Sequence, residues 1–124
     1  MENLDLECAK LGRKLAEIKA GGEPVDEKIF TSALAVLEEQ GPYACFLYLE
    51  ARERNAGQEI NKRAIEFLRP LVGTNANTQD PLEFLKGIAS DLDQLLFARD
   101  LLHQAFVYAR YHAKARLGRT EGEE

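Results

Sequence analysis

The sequence predicts an all-α protein, a single-domain bundle of five to six helices with a long central C-terminal helix. Three observations carry this. From Ser90 to Leu117 no Gly or Pro interrupts the chain, and Leu92, Leu95, Leu96, Leu102, Phe106, Ala109, Ala113 and Leu117 recur at the three-or-four spacing of one helix face. Phe97, Leu101 and Tyr108 fall on the opposite side, and a helix that is apolar nearly all round belongs at the centre of a bundle. The remaining apolar segments lie between Gly and Pro punctuation, with no strong strand signal and no internal repeat.

The first helix is expected over Leu4 to Ala20. Leu4, Cys8, Leu11, Leu15 and Ile18 form one stripe, Glu7, Lys10, Lys14 and Glu17 form the solvated side, and Gly21-Gly22 end it. Gly12 costs this helix a little stability. A second helix opens at Pro24-Val25, with Asp26 and Glu27 in its first turn and Ile29, Phe30, Ala33, Leu34 and Leu37 inward, and closes before Gly41.

Gly41-Pro42 opens a third segment of seven consecutive apolar residues, Tyr43 to Leu49. A run this short fits a buried strand as well as a helix. Pro42 suits a first helical position, and the run continues into Glu50-Ala51-Arg52-Glu53-Arg54, so helix is preferred, with a stop at Asn55-Ala56-Gly57. A fourth helix follows over Glu59 to Arg69. Its inward positions are Ile60, Ala64, Phe67 and Leu68, its outward ones Lys62, Arg63, Glu66 and Arg69, and Pro70 disturbs its end.

Thr74 to Gln79 is polar, small and loop-like. Asp80-Pro81-Leu82-Glu83 then has cap, proline and carboxylate in their preferred places for a short helix ending at Gly87. Ser90 is the expected cap of the last helix, with Asp93 reaching back. Residues 1–118 thus form one helical domain, and 119–124 a charged, flexible tail.

At 124 residues and 45% hydrophobic content, the chain is long enough for one core. No apolar run reaches the roughly 18 residues of a membrane span, and the acidic start lacks the pattern of a signal peptide, so a cytoplasmic location is expected. Cys8 and Cys45 are read as small core hydrophobes. The net charge of −5 argues against a generic nucleic-acid surface. Its distribution is uneven: residues 1–60 carry 7 basic and 12 acidic side chains, and 61–124 carry 9 of each. Arg110, Lys114, Arg116 and Arg119 form a local basic run, which either marks a patch or complements a helix C-terminus.

Catalytic chemistry finds no constellation to rest on. His103 and His112 point to opposite sides of one helix, and the carboxylates alternate with cations as solvated faces do. There is no phosphate-binding Gly motif, nucleophile elbow or Cys/His cluster, and no cofactor is expected. The expectation is a non-enzymatic binding or scaffolding module. The candidate RNA-binding residues are Arg52 and Arg54 at the end of the third helix, Lys62 and Arg63 on the fourth, and Arg99, Arg110 and Lys114, which share an arc of the last helix with His103. Cations along one groove neutralise backbone phosphates without reading sequence. Phe106 interrupts the arc, so the alternative is ordinary stems packing over the core with their charges snorkelling out.

Several segments resemble the small subunit of the type III-B CRISPR RNA-guided effector complex, a small all-helical protein. Its apolar helix, Gln-x-Gly or Asn-Gly step and following apolar stretch are similar to Ala33 to Leu37, Gln40-Gly41 and Tyr43 to Arg52 here. Ile60 to Gly73 is similar in apolar spacing and closing Gly. The family's closing helix resembles Arg99-Asp100-Leu101-Leu102 followed by Val107-Tyr108-Ala109-Arg110-Tyr111. The family's Trp is absent, and Ala109 stands where the first of a basic pair would be, so only Arg110 carries over. The related small subunit of type III-A complexes is a close competitor.

The resemblance implies a non-catalytic structural role in antiviral defence. Copies stack beside larger effector-complex subunits and line the channel in which guide RNA and target RNA pair, which implies weak backbone contacts to RNA and self-association in the complex. A helical protein–protein adaptor without RNA binding is the alternative from a different class.

Overall fold

A computed structural model describes residues 3–72 and 78–116 with their side chains, and the backbone of the last helix to Glu123. In chain order the elements are α1 (Leu4–Ala16), β1 (Lys19–Ala20), β2 (Glu23–Pro24), α2 (Glu27–Gln40), α3 (Pro42–Leu68), α4 (Pro81–Ile88) and α5 (Leu92–Glu123). The all-α bundle is therefore present, with a long C-terminal helix that packs against each of the other four. The tail expected at 119–124 and most of the loop expected at 74–79 lie outside the residues whose side chains are described.

Helix α1 starts on Asn3, whose Oδ1 accepts from the Leu6 amide at 3.1 Å. It ends four residues before the expected Ala20, because Lys19–Ala20 pairs antiparallel with Glu23–Pro24 around Gly21-Gly22. Those glycines have φ of 62° and 86°, the all-positive pair of a tight hairpin turn, so they close a hairpin and do not cap a helix. Pro24 consequently belongs to the hairpin. Asp26 is the true cap of α2, its Oδ1 accepting from Lys28 at 2.9 Å.

The third and fourth expected helices are continuous in α3 except for one break, at Arg54, whose φ of 52° and ψ of −119° are non-helical. The break falls earlier than the expected Asn55-Ala56-Gly57 stop, and these three residues begin the second half, residues 55–68. Ala56 and Gly57 are buried there because the chain folds back on itself. A side chain at Gly57 would collide with the Leu49 carbonyl. Asn61, fully buried, bridges the two halves by donating from Nδ2 to the Phe46 carbonyl at 2.9 Å.

Helix α4 takes the expected form, with Asp80 capping Leu82 at 3.0 Å and Pro81 in the first turn. The cap of α5 is Asp91 instead of Ser90: its Oδ1 accepts from Gln94 at 3.2 Å and its carbonyl from Leu95. Asp91 competes successfully because it stands one residue nearer the first helical turn.

The expected inner face of α5 holds at Leu95, partly buried on the core, and over residues 102–113, while Leu117 lies outside the residues whose side chains are described. Leu102, Phe106, Ala109 and Ala113 are buried, together with Ala98, Leu101 and Ala105. Leu92 and Leu96 are 65% and 44% exposed. Both point away from the face of α5 that the other helices cover, on which Ala98 is fully buried. The Phe30 and Phe106 rings meet there with centroids 6.3 Å apart, tilted by 40°, a contact worth about 0.5–1.5 kcal/mol beyond its buried area.

Candidate nucleic-acid interface

Helix α1 and the second half of α3 lie side by side. Their apolar stripes meet below through Leu11 and Phe67, which leaves the polar edges of both helices facing each other across an open groove of about 640 Å³. Lys10 and Lys14, four residues apart, supply one wall, and Lys62 and Arg63 supply the other. Glu7, Glu59 and Glu66 share the groove, so four cations face three carboxylates.

The pairing within the groove is unequal. Arg63 Nε donates to Glu59 Oε1 at 2.9 Å, and its Nη1 reaches the Lys14 carbonyl at 3.5 Å. Lys10 pairs with Glu7 at 3.4 Å. Lys14 and Lys62 have no side-chain hydrogen bond or ion pair among the described residues. Two ammonium groups are thus available beside a guanidinium already held in place. Lys62 also lines a second groove of about 650 Å³ with Glu50, Gln58 and Gln79, so it stands on the ridge between two concave surfaces.

Such an arrangement fits backbone phosphates: point charges without a fixed planar fork give attraction without base readout. The neighbouring carboxylates limit its strength and make it sensitive to salt.

The seven sequence-predicted cations do not form one surface. Lys62 and Arg63 meet in the groove. Arg52 lies just before the break in α3 and Arg54 at it, and both are exposed. Arg99 is engaged within the chain, its Nη2 donating to the Glu38 carbonyl at 3.2 Å, next to the 2.7 Å contact of His103 Nε2 with Glu38 Oε1. Both contacts fasten the end of α2 to α5. Phe106, fully buried, separates Arg99 from the exposed Arg110 and Lys114. Arg116 donates to the carbonyls of Ala16 and Val25 at 2.7 and 3.0 Å, so it ties the hairpin to α5. Lys10 and Lys14 are groove residues that sequence reasoning places only among solvated side chains.

No group of three or more His, Cys, Asp or Glu side chains able to hold a metal occurs among the described residues. Among those residues, too, no helix is long and apolar enough to cross a membrane. Comparison with protein-family models, with curated proteins and with solved structures gives no match for this chain.

Proposed function

We propose that this protein is a non-catalytic small subunit of a type III-B CRISPR effector complex, acting in the cytoplasm and touching RNA weakly through its phosphates. The observation that carries the RNA contact is the groove in which Lys14 and Lys62, both unpaired among the described residues, face each other between α1 and α3. The sequence resemblance over residues 30–115 supports the assembly. One wall of the groove, with Lys10 and Lys14, lies outside the resembling segments, and the other, with Lys62 and Arg63, lies within Ile60 to Gly73.

Affinity purification of the tagged chain from its native host tests this reading. Guide RNAs recovered together with larger CRISPR subunits would support it. Protein partners recovered without RNA would overturn it in favour of a helical adaptor, a reading that the exposed Tyr43, Leu47, Leu92 and Leu96 favour.

A further inference from the structure

The groove between α1 and α3 does not end at its cations. A smaller cavity of about 230 Å³ adjoins it, and Glu7, Glu66 and Phe67 line both. The two helices run antiparallel along this trough: Arg63 reaches the Lys14 carbonyl at one end, and Leu4 lies with Pro70 and Leu71 at the other. The trough is therefore graded. Lys14, Lys62 and Arg63 come first, Glu7 and Glu66 stand at the junction, and Leu4, Pro70 and Leu71 make the far end apolar. Phe67, half-buried, is common to both parts and stands about 6 Å along the helix from Arg63, at 1.5 Å per residue. The carboxylates are not equivalent. Arg63 holds Glu59 and Lys10 holds Glu7, whereas Glu66 is exposed and has no side-chain hydrogen bond or ion pair among the described residues.

A nucleotide is graded in the same order, with its phosphate at one end and a flat, donor-bearing base at the other. Resting on the RNA reading of this groove, we propose that the trough also takes one unpaired base of the strand. The base stacks on Phe67, its phosphate lies between Lys14 and Lys62, and Glu66 accepts hydrogen bonds from its edge. The cations attract without reading sequence, so any base preference comes from Phe67 and Glu66. Stacking on a side-chain ring needs a base released from its pairing partner, so this contact is open to single strands and closed to a duplex. An ionised carboxylate only accepts. Guanine offers it two adjacent donors on the Watson–Crick edge, N1–H and the 2-amino group. Uracil offers one, flanked by two carbonyl oxygens that a carboxylate repels, so guanine is preferred over uracil. An acidic peptide fits less well, because beyond the cations its recurring charges would meet Glu66 and then an apolar end.

Fluorescence anisotropy on the full chain tests the base contact with three labelled RNAs: an all-uridine oligomer, the same oligomer with interspersed guanosines, and the latter annealed to its complement. The wild type is expected to bind the guanosine-bearing single strand more tightly than the uridine one. Phe67→Leu, which keeps an apolar side chain, is expected to weaken single-strand binding about tenfold and to leave duplex binding alone. Its salt slope should not change, since no phosphate contact is lost. Phe67→Tyr, which keeps the ring, is expected to bind as the wild type does. Glu66→Gln is expected to erase the guanosine preference without weakening the uridine oligomer. The Phe67 ring protons should shift upfield in NMR spectra when the single strand is added, and circular dichroism checks that each variant keeps its helix content. Single-strand binding that K14A/K62A weakens but Phe67→Leu does not would overturn the base contact and leave the phosphate reading standing. So would a guanosine preference that is absent from the wild type or survives Glu66→Gln. No wild-type binding at low salt would overturn both readings. A polyglutamate peptide that displaces the RNA, with the same sensitivity to Phe67→Leu, would overturn the base contact in favour of an acidic protein partner.

Discussion

Gly12 of α1 lies against the backbone of α5 at Ala105: a β-carbon at position 12 would stand 2.8 Å from the Ala105 carbonyl oxygen and 2.5 Å from the Tyr108 β-carbon. The two helices cross as closely as they do because Gly12 has no side chain and Ala105 and Ala109 have the smallest ones. Helix propensity alone favours Gly12→Ala by about 1 kcal/mol. Overpacking against backbone atoms that cannot yield costs about 1–3 kcal/mol. The expected outcome of Gly12→Ala is therefore a net loss of up to about 2 kcal/mol by urea denaturation. A stabilised variant would contradict the crossing described here.

Arg54 is the only non-Gly residue with positive φ among those described. Its conformation suits glycine, and an L side chain there costs of order 1 kcal/mol. Arg54→Gly is expected to raise stability by about 0.5–1 kcal/mol, with the extra chain entropy of glycine offsetting part of the gain. A destabilised variant would mean that the Arg54 side chain supplies contacts outweighing its strain.

Both thiols should be inert in the folded protein. Burial, with Asp5 and Glu7 adding to it, pushes Cys8 up to about 11 from an ordinary 9.0, and burial pushes Cys45 up to about 12. At pH 8 the thiolate fraction of Cys8 then falls about a hundredfold. An aromatic disulfide reagent is expected to leave both sites unmodified until denaturant is added. Prompt reaction in buffer would show that one of them is open to solvent.

The link between the start of α1 and the middle of α5 is sensitive to alkali. Tyr108 donates its hydroxyl proton to Asp5 at 2.8 Å, and this hydrogen bond raises its pKa above the ordinary 10.0. The folded state then holds that proton more tightly than the unfolded state does. The contribution is complete below pH 10 and is lost as pH climbs through the folded value. Tyr108→Phe and Asp5→Asn are expected to flatten the fall in stability above pH 10, measured by urea denaturation across the alkaline range. An unchanged alkaline limb would contradict the hydrogen bond.

Where the signals were local and unopposed, as at Asp80-Pro81, the sequence was enough to define an element. It failed where two signals competed. Ser90 and Asp91 both cap well, and only the observed bond to Gln94 decides between them. Gly21-Gly22 suits a helix end as readily as a hairpin, and strands two residues long have no periodicity to read. The start of α5 misled for another reason: Leu92 and Leu96 are apolar yet point away from the face that neighbouring helices cover.

The groove was half legible. Lys10, Lys14, Lys62 and Arg63 all read as outward from their own helices, and they are. That α1 and the second half of α3 are neighbours depends on the turn at Arg54, which Asn55-Ala56-Gly57 announced as a helix stop without its direction. Arg99 misled the other way, because its partner, the Glu38 carbonyl, is a backbone group 61 positions away in sequence.

If the α1–α3 groove binds RNA phosphates, removing its two unpaired ammonium groups must weaken that binding. A fluorescence-anisotropy titration of labelled single-stranded RNA, with the wild type and with K14A/K62A over a series of salt concentrations, decides the matter. Weak wild-type binding is expected at low salt, with loss of affinity in the variant. The dependence of log affinity on log salt should become shallower by about 0.7 for each lysine removed. Wild-type binding that K14A/K62A leaves unchanged in strength and salt slope, or no wild-type binding even at low salt, would contradict it.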